Sequence, residues 1–437
     1  MSETPQKTSG KLFPKLEYRH YVLCVLLIVF TFSFIDRQII AVLSPAIKED
    51  LGLNDTQLGF LKGFAFALFY ASFGIPIARL ADKHNRVTII TLSLAAWSAM
   101  TALCGAAGNF AQLALARIGV GVGEAGCSPP AHSIISDYFA KDERATAIGI
   151  YSLGIPIGTV FGFLAGGWLV GELGWRWAFV FVGLPGVLFS VLVKLTVKEP
   201  VRGSKEETVA KPVTETEFSV KDSLSILWKI KSFRILTLGA ALSSFSGYAL
   251  GLWVVDFFVR THGFAIGEIT VPLAIVLGIG GGIGAAFGGA FTDHFAKKDQ
   301  RAVFSVPAVA HLLATPLLLF AVWSTSSFAA FVALFPFYVF STAVAGPFFA
   351  LVQNLAPVHM RSFASAIFFF ALNALGFGLG PLFVGILSDA LAPSMGEALS
   401  LQWGLTAILP FYVLSSLVML FGRAHIKADL DNAARQA

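Results

Sequence analysis

Four charged side chains lie deep inside long apolar segments. Asp36 and Arg37 fall in the first such segment, and Arg117 and Glu124 fall in the fourth. Arg117 and Glu124 are two helical turns apart, so both side chains project from one face of a helix. A medium of low dielectric favours a protonated carboxylic acid, whereas a nearby guanidinium favours the carboxylate. This combination predicts proton coupling by Asp36 and Glu124 together with Arg117 and Arg37. The alternative is a permanent salt bridge that fixes helix packing, and Arg37 could instead extend to the membrane surface or brace a neighbouring helix.

The depth of these side chains follows from the helical rise of about 1.5 Å per residue. Asp36 is expected near the middle of a bilayer, at a depth between Arg117 and Glu124. A charge there costs on the order of 3 kcal/mol, so it tends to be paired and functional. We therefore predict a cluster of Asp36, Arg117 and Glu124 with Arg37 nearby. Lys62, in the second apolar segment, is expected about one turn from the outer end, with its amine reaching the membrane surface.

The composition excludes a soluble or disordered chain. Of 437 residues, 56% are hydrophobic and only 13% are charged, against about 25% charged in soluble domains. The net charge of +5 comes from basic residues in short loops between apolar runs, so it indicates membrane topology and not nucleic-acid binding. The three cysteines form no CxxC motif, so no disulfide, metal or other cofactor is expected. No HExxH or GxSxG motif is present, so we do not expect an enzyme.

Apolar runs long enough to cross a bilayer predict twelve transmembrane helices in two six-helix bundles. The predicted divisions are a tail at 1–19, a bundle at 20–196, a linker at 197–231 with a short surface helix at 220–231, a second bundle at 232–424 and a tail at 425–437. Lys and Arg concentrate in the tails, the linker and alternate loops, which predicts that both termini are cytoplasmic. The N-terminus has no signal-peptide pattern. We expect a monomeric multi-pass protein of the cell inner (plasma) membrane.

The two predicted halves repeat a pattern of acid, base and following arginine. Asp82 and Asp293 are 211 residues apart, and Arg144 and Arg361 are 217 apart. Related halves are typical of transporters whose binding site lies between them. We expect Asp82 to cap a neighbouring helix and pair with Arg144 when the protein faces outward. The full predicted cytoplasmic gate comprises Asp82, Arg86, Arg144, Asp293, Lys297 and Arg361. The alternative is that these charges only set the topology.

Three motifs resemble the major facilitator superfamily. The stretch Ala78-Arg-Leu-Ala-Asp82-Lys-His-Asn-Arg86 is similar to its GxLaDrxGrr loop, although Ala78 and Asn85 stand where glycine is usual. Arg117-Ile-Gly-Val-Gly121 resembles the motif of its fourth helix, and Gly154-Ile-Pro156-Ile-Gly158 resembles that of its fifth. The resemblance implies the twelve-helix major facilitator fold and transport by alternating access.

A finer resemblance is to the spinster family. It is carried by Ile35-Asp36-Arg37, by Gly59-Phe-Leu, and by the segment from Arg117 to Ala125 that contains Gly123-Glu124. This resemblance implies a lysophospholipid or sphingosine-1-phosphate-like cargo, because spinster proteins move such lipids, and proton coupling, as is thought for bacterial relatives. The partners it implies are the cargo, protons and the lipid bilayer.

The cargo site is expected to combine a charged first half with a nearly neutral, Phe-rich second half. Such a cavity suits an amphiphile whose headgroup binds near Arg117 and Arg37. The predicted substrate-binding residues are Arg117, Glu124, Tyr248, Trp253, His311 and Asn373, although His311 could instead be a hydrogen-bonded packing residue. Asp256 is expected near the outer end of its helix, in contact with water. Two alternatives are a carrier of small organic anions and a non-transporting receptor on the same fold.

Overall fold

Long apolar helices dominate the chain because backbone polar groups inside a bilayer must be satisfied within the spanning segment itself. The computed structural model describes residues 17–140, 142–204, 220–357 and 360–436. Within them, ten continuous helical stretches are long and apolar enough to cross a membrane. One stretch, Thr146–Thr196, contains two spans that meet at Gly174, where φ is 79°. The fourth span consists of two shorter helices, so the described helices form the predicted twelve spans.

The first bundle contains spans 1 to 6. Their helices are Tyr18–Leu51 in span 1; Asp55–Gly59, Phe60–Phe64 and Ala65–Lys83 in span 2; Arg86–Cys104 in span 3; Phe110–Glu124 and Ser128–Tyr138 in span 4; and Arg144–Ser152 and Gly154–Thr196 in spans 5 and 6. A short helix follows in the linker at Val220–Lys229, where the sequence predicts one.

The second bundle contains spans 7 to 12. Their helices are Lys231–His262 in span 7; Ile266–Leu273, Ala274–Gly280 and Gly281–Ala296 in span 8; Ala302–Trp323 in span 9; Ser327–Thr342 and Ala345–Leu355 in span 10; Arg361–Ala371, Leu372–Leu379 and Gly380–Met395 in span 11; and Glu397–Thr406 and Leu409–Gln436 in span 12.

Irregular turns recur at equivalent places in the two bundles. Span 2 has a π-helical turn at Phe60–Phe64, and span 8, its counterpart, has one at Ala274–Gly280. Spans 4 and 10 are each broken into two helices. A π-helical turn inserts an extra residue per turn and is frequent at functional sites. The repeat seen in the sequence is therefore also a repeat in backbone geometry.

The two faces of the molecule are distinguished by the chain ends. Tyr18 donates a hydrogen bond to the carbonyl of Thr196 at 2.7 Å, and the backbone amide of Ser232 donates to Asp429 at 2.8 Å. Both described chain ends and the linker helix therefore lie on one face, which we call the inner face. The opposite face, which we call the outer face, carries the turn that joins spans 1 and 2.

Spans 2 and 11 bring the two bundles into backbone contact. A Cβ atom added at Gly59 would lie 2.5 Å from the carbonyl oxygen of Pro381, and one added at Gly63 would lie 2.3 Å from that of Phe377. Neither position tolerates a side chain without a shift of the opposing backbone. The glycine in the spinster-like Gly59-Phe-Leu motif thus permits close packing between the bundles.

We predict that Gly59→Ala destabilises the closed contact between spans 2 and 11 by about 1–3 kcal/mol, the usual cost of overpacking. This destabilisation should appear as a lower melting temperature of the variant in detergent, with its helix content unchanged. Gly74→Ala on the same span is the matched control, because a Cβ there would have no neighbour within 4 Å. Equal melting temperatures for the two variants would contradict this account of the glycine.

Candidate functional site

The four predicted deep charges come together inside the first bundle. Arg37 Nε donates to Glu124 Oε2 at 2.9 Å, which joins span 1 to span 4. Asp36 and Arg117 lie beside this pair, and Arg117 Nη1 is 3.4 Å from the backbone carbonyl oxygen of Asp36. Asp36, Arg117 and Glu124 are each at most 2% exposed, whereas Arg37 is 8% exposed. Arg37 is therefore the member of the cluster that is most accessible.

The ion pair within this cluster differs from the one that helical spacing favours. Arg117 and Glu124 share a face of span 4, but Glu124 pairs with Arg37 from span 1. Arg117 Nε and Nη2 and Glu124 Oε1 are buried without a hydrogen-bond partner among the described residues. Buried polar groups are normally paired. The cluster therefore has unused donors and an unused acceptor, as expected of groups that exchange partners or bind a ligand.

Aromatic rings surround the Arg37 guanidinium. Its Cζ lies 5.1 Å from the ring centroid of Phe34, 4.8 Å from that of Phe66 and 4.9 Å from that of Tyr70. Cation–π attraction of this kind stabilises a guanidinium that has lost part of its hydration. The rings hold the cation in place while its terminal nitrogens remain available for an anionic group.

The structure brings one of the four predicted second-half residues close to this cluster. Tyr248 packs against the ring of Phe377 at 4.8 Å, and Phe377 in turn packs against Phe66 at 5.3 Å. Tyr248 is thus connected through aromatic rings to the site around Arg37. Its role in substrate binding remains a prediction.

The other three predicted residues make contacts of their own. Trp253 is fully buried and donates to the carbonyl of Pro381 at 2.9 Å. His311 is buried within the second bundle, where it packs against Tyr412 with ring centroids 5.2 Å apart. Asn373 donates to the carbonyl of Phe369 at 2.8 Å. These contacts suit packing or helix stabilisation, and nothing in them tests a role in substrate binding.

A second buried charge pair corrects two sequence-based expectations. Lys62 Nζ lies 2.5 Å from Asp256 Oδ2, and both side chains are 0% exposed. The prediction that Lys62 extends to the membrane surface is therefore wrong, as is the expectation that Asp256 is solvated. The available signal was that each residue is a charge within an apolar stretch near the outer end of its span, and the two charges have opposite signs. Reasoning on each span separately missed the pair.

On the inner face, Arg86 forms ion pairs within its own bundle and the start of the linker. It donates to Asp137 at 2.5 Å and to Glu199 at 2.6 Å. Arg144 donates to the carbonyl of Phe139 at 3.3 Å. The side chain of Asp82 lies outside the described residues, so its predicted pairing with Arg144 is not tested.

Among the described residues, the second half of the predicted gate shows a backbone contact and no side-chain ion pair. The amide of Lys297 donates to the carbonyl of Asp293 at 3.1 Å. Neither Lys297 nor Arg361 forms a side-chain ion pair with another described residue. The inner gate was predicted for an outward-facing state, and it remains a prediction.

Twelve apolar spans in two related bundles define a multi-pass membrane transporter. Residues 26–381 match the family model described as Major Facilitator Superfamily, and the chain belongs to that superfamily. The crystal structure of a bacterial homolog to the human lysosomal transporter spinster, in an inward-facing and unoccupied conformation, is similar to this chain, with a TM-score of 0.86 and 32% identity. That similarity covers 95% of this chain and 99% of the other. The predicted resemblance to the spinster family is thereby confirmed.

Curated relatives agree with this assignment. An MFS-type efflux pump from Mycolicibacterium smegmatis is 32% identical over 94% of both chains. Protein spinster homolog 1 from Xenopus tropicalis is 26% identical over 92% of this chain and 80% of its own length. The sphingosine-1-phosphate transporter SPNS2 from Danio rerio is 26% identical over 92% of this chain and 84% of its own.

We predict that Arg37 and Glu124 are strongly coupled in a double-mutant cycle. Arg37→Gln and Glu124→Gln should each destabilise the protein by about 3 kcal/mol, because each leaves a buried charge unpaired. The double variant should lose less than the sum, by about 1–3 kcal/mol. Unfolding in denaturant measures the free energy of unfolding of each variant and, from these values, the coupling energy. The control is the more exposed pair Arg19–Glu143, whose coupling should stay below about 1 kcal/mol. Similar coupling in the two cycles would contradict the distinction.

Proposed function

We propose that this transporter works by proton-coupled alternating access and moves a lysophospholipid or a sphingosine-1-phosphate-like amphiphile. The observation that best supports this proposal is the buried cluster of Asp36, Arg37, Arg117 and Glu124, which has hydrogen-bond donors and an acceptor without partners. Isolated charges are too costly inside a bilayer to persist without a partner or a role.

The surroundings of Glu124 support the proposed proton coupling. Glu124 accepts one hydrogen bond from Arg37, and Arg117 has free donors nearby. Protonation of Glu124 removes the charge that holds Arg37, which frees the guanidinium to bind an anion. Binding of an anionic headgroup in turn weakens the hold of Arg37 on Glu124. Proton and substrate then share one cation, which is a direct form of coupling.

The proposed cargo follows from the surroundings of Arg37. A guanidinium with available donors recognises phosphate, and the aromatic rings of Phe34, Phe66 and Tyr70 provide apolar surface beside it. The name of the relative SPNS2 denotes a carrier of a lipid with this chemistry. A small organic anion would bind the same guanidinium but would not need the apolar surface. A receptor would not transport the compound that it binds.

The setting that we propose is a monomer in the cell inner membrane with both termini in the cytoplasm. Short basic loops on the inner face support this orientation. We propose further that the charges of the predicted gate close the inner face when the outer face opens. Arg86 at the start of span 3 forms ion pairs with Asp137 and Glu199. These pairs hold the loop between spans 2 and 3 in place, which would help its charges to close the inner face.

We predict that Asp36→Asn and Glu124→Gln abolish uptake driven by a pH gradient in proteoliposomes, with expression retained, because neither amide can bind and release a proton. Asp50→Asn is the matched control on span 1, since Asp50 is part of a surface-exposed pair with Arg176. Its uptake should stay within about twofold of the original protein. Full gradient-driven uptake by both cluster variants would refute proton coupling here.

We predict that labelled lysophosphatidate and sphingosine-1-phosphate are transported and compete with each other, whereas hexanoate and gluconate do not compete. Arg37→Gln should raise the half-saturating lipid concentration by at least about tenfold, the usual range for loss of a charge-assisted bond. Counterflow across this panel measures both effects. Exchange of the small anions alone would favour the second carrier hypothesis. If the protein binds one of these compounds but exchanges none of them, the result would favour a receptor.

A further inference from the structure

Span 3 carries none of the predicted proton-coupling or substrate-binding residues, yet it forms one wall of the buried charge cluster. Trp97 and Thr101 of this span are about one helical turn apart, so their side chains project from the same face. That face lies against the Asp36 carboxyl group. Both side chains are 0% exposed. Span 3 therefore places an indole N–H group and a hydroxyl group beside the carboxyl group of span 1.

Glycines of the neighbouring spans hold this wall in place. A Cβ atom added at Gly123 of span 4 would lie 2.7 Å from the backbone nitrogen of Trp97. On the opposite side, a Cβ atom added at Gly183 of span 6 would lie 2.5 Å from the carbonyl oxygen of Ser98. Span 3 is thus packed closely between spans 4 and 6, and this packing fixes the positions of Trp97 and Thr101 relative to the cluster.

The two donors on this wall have no partner. Trp97 Nε1 and Thr101 Oγ1 are buried and form no hydrogen bond with a described residue. The hydrogen bond from Arg117 to Asp36 goes to the backbone carbonyl oxygen and not to the carboxyl group. A buried donor without an acceptor is costly. The carboxyl group of Asp36, which lies beside both donors, has enough acceptor sites for both when it is ionised.

The hydroxyl group of Thr101 also departs from the usual behaviour of threonine inside a helix. Thr91 on the same span donates to the carbonyl oxygen of Val87 at 2.8 Å, which is the bond that a threonine hydroxyl commonly makes within a helix. Thr101 makes no such bond. Its hydroxyl group is therefore available to the carboxyl group of span 1.

We propose that Trp97 and Thr101 are positioning residues for Asp36, which donate hydrogen bonds to its carboxylate when the proton is released and so set its proton affinity. Neither residue takes up or releases a proton itself. The proposal rests on the proton-coupling part of the proposed function and is independent of the cargo.

The physical basis is that hydrogen bonds to the charged form of an acid favour that form. A hydrogen bond to a carboxylate is about twice as strong as one to a neutral acceptor. Ionisation of Asp36 therefore satisfies two buried donors that bind the protonated acid more weakly. Donors that are already fixed in position also replace part of the hydration that a buried carboxylate lacks. They allow Asp36 to exist as an ion in a buried site, which a proton-coupling residue requires.

Other charged and titratable groups face Asp36 as well. In the described part of the chain they are Arg117 and Glu124 from span 4 and Cys104 from span 3, and Arg37 is the next residue in span 1. The variants used below keep all of these groups and replace only uncharged side chains. A change in the titration of Asp36 therefore reports the loss of a hydrogen-bond donor and not the loss of a charge.

Infrared difference spectroscopy tests the proposal, because a protonated carboxylic acid and a carboxylate absorb at different frequencies. Each protein is titrated in lipid nanodiscs, and the Asp36 band is assigned by subtracting the spectrum of the same protein with Asp36→Asn. Thr101→Val replaces the hydroxyl by a methyl group, Trp97→Phe removes the N–H group, and Thr101→Ser retains the hydroxyl. Thr91→Val is the matched control, because that hydroxyl bonds within its own helix.

We expect Thr101→Val and Trp97→Phe each to raise the pH midpoint of the Asp36 band by about one unit, which is an about tenfold higher proton affinity. Loss of a donor disfavours the carboxylate, so Asp36 stays protonated to a higher pH. Thr101→Ser and Thr91→Val should leave the midpoint unchanged.

An unchanged midpoint in both Thr101→Val and Trp97→Phe, or an equal shift in Thr91→Val, would overturn the proposal. A band that does not titrate in the original protein would also overturn it, because Asp36 would then never become the ion that these donors bind. If Trp97→Phe fails to fold, the two Thr101 variants still decide the outcome.

Gradient-driven uptake by the same variants, measured over a range of pH, separates this proposal from the proposed function. If Asp36 couples protons to transport, the pH midpoint of uptake moves together with that of the infrared band. A shifted band with an unchanged uptake profile would refute coupling at Asp36 and leave the positioning role of Trp97 and Thr101 supported.

Discussion

An ionised side chain that is kept from water is costly unless it has a partner, and the pairing of buried charges organises the structure. Among the described residues, two buried ion pairs lie within the spans and differ in what they join. Arg37 and Glu124 pair within one bundle, whereas Lys62 and Asp256 pair between bundles. The first pair can be broken without separating the bundles, because both of its residues belong to the first bundle. The second must be broken whenever the bundles part at the outer end. The location of each pair thus determines what it can control.

Much of the fold could be predicted from the sequence because membrane spans are long, apolar and separated by charged loops. The deep charges were also evident, since a lone carboxylate among leucines and phenylalanines stands out. The partners could not be predicted. Glu124 has Arg117 two turns away on its own helix, yet it pairs with Arg37. The choice depends on the rotation and depth of two helices that are not adjacent in sequence, and helical periodicity does not give either.

Lys62 shows the same limit from the other side. The sequence predicts a position about one turn from the outer end, but the helix begins at Asp55, about two turns before Lys62, and the lysine is fully buried. The π-helical turn at Phe60–Phe64 and the glycines at 59 and 63 bring span 2 against the backbone of span 11. Those features fix how far the lysine lies from the second bundle. They are visible in the sequence only as two glycines, whose consequence becomes clear once the opposing carbonyl groups are located.

Spans 1 and 2 connect the two charge groups physically. Arg37 and Ser44 are two turns apart on one face of span 1, and Lys62 and Phe66 are one turn apart on span 2. Ser44 and Lys62 contact Asp256, while Phe66 lies against Arg37. A rotation of either helix that released Arg37 from Glu124 would also displace a partner of Asp256. Since spans 1 and 2 each contribute a side chain in contact with both pairs, any effect of the first pair on opening must be matched by an equal effect of opening on the first pair.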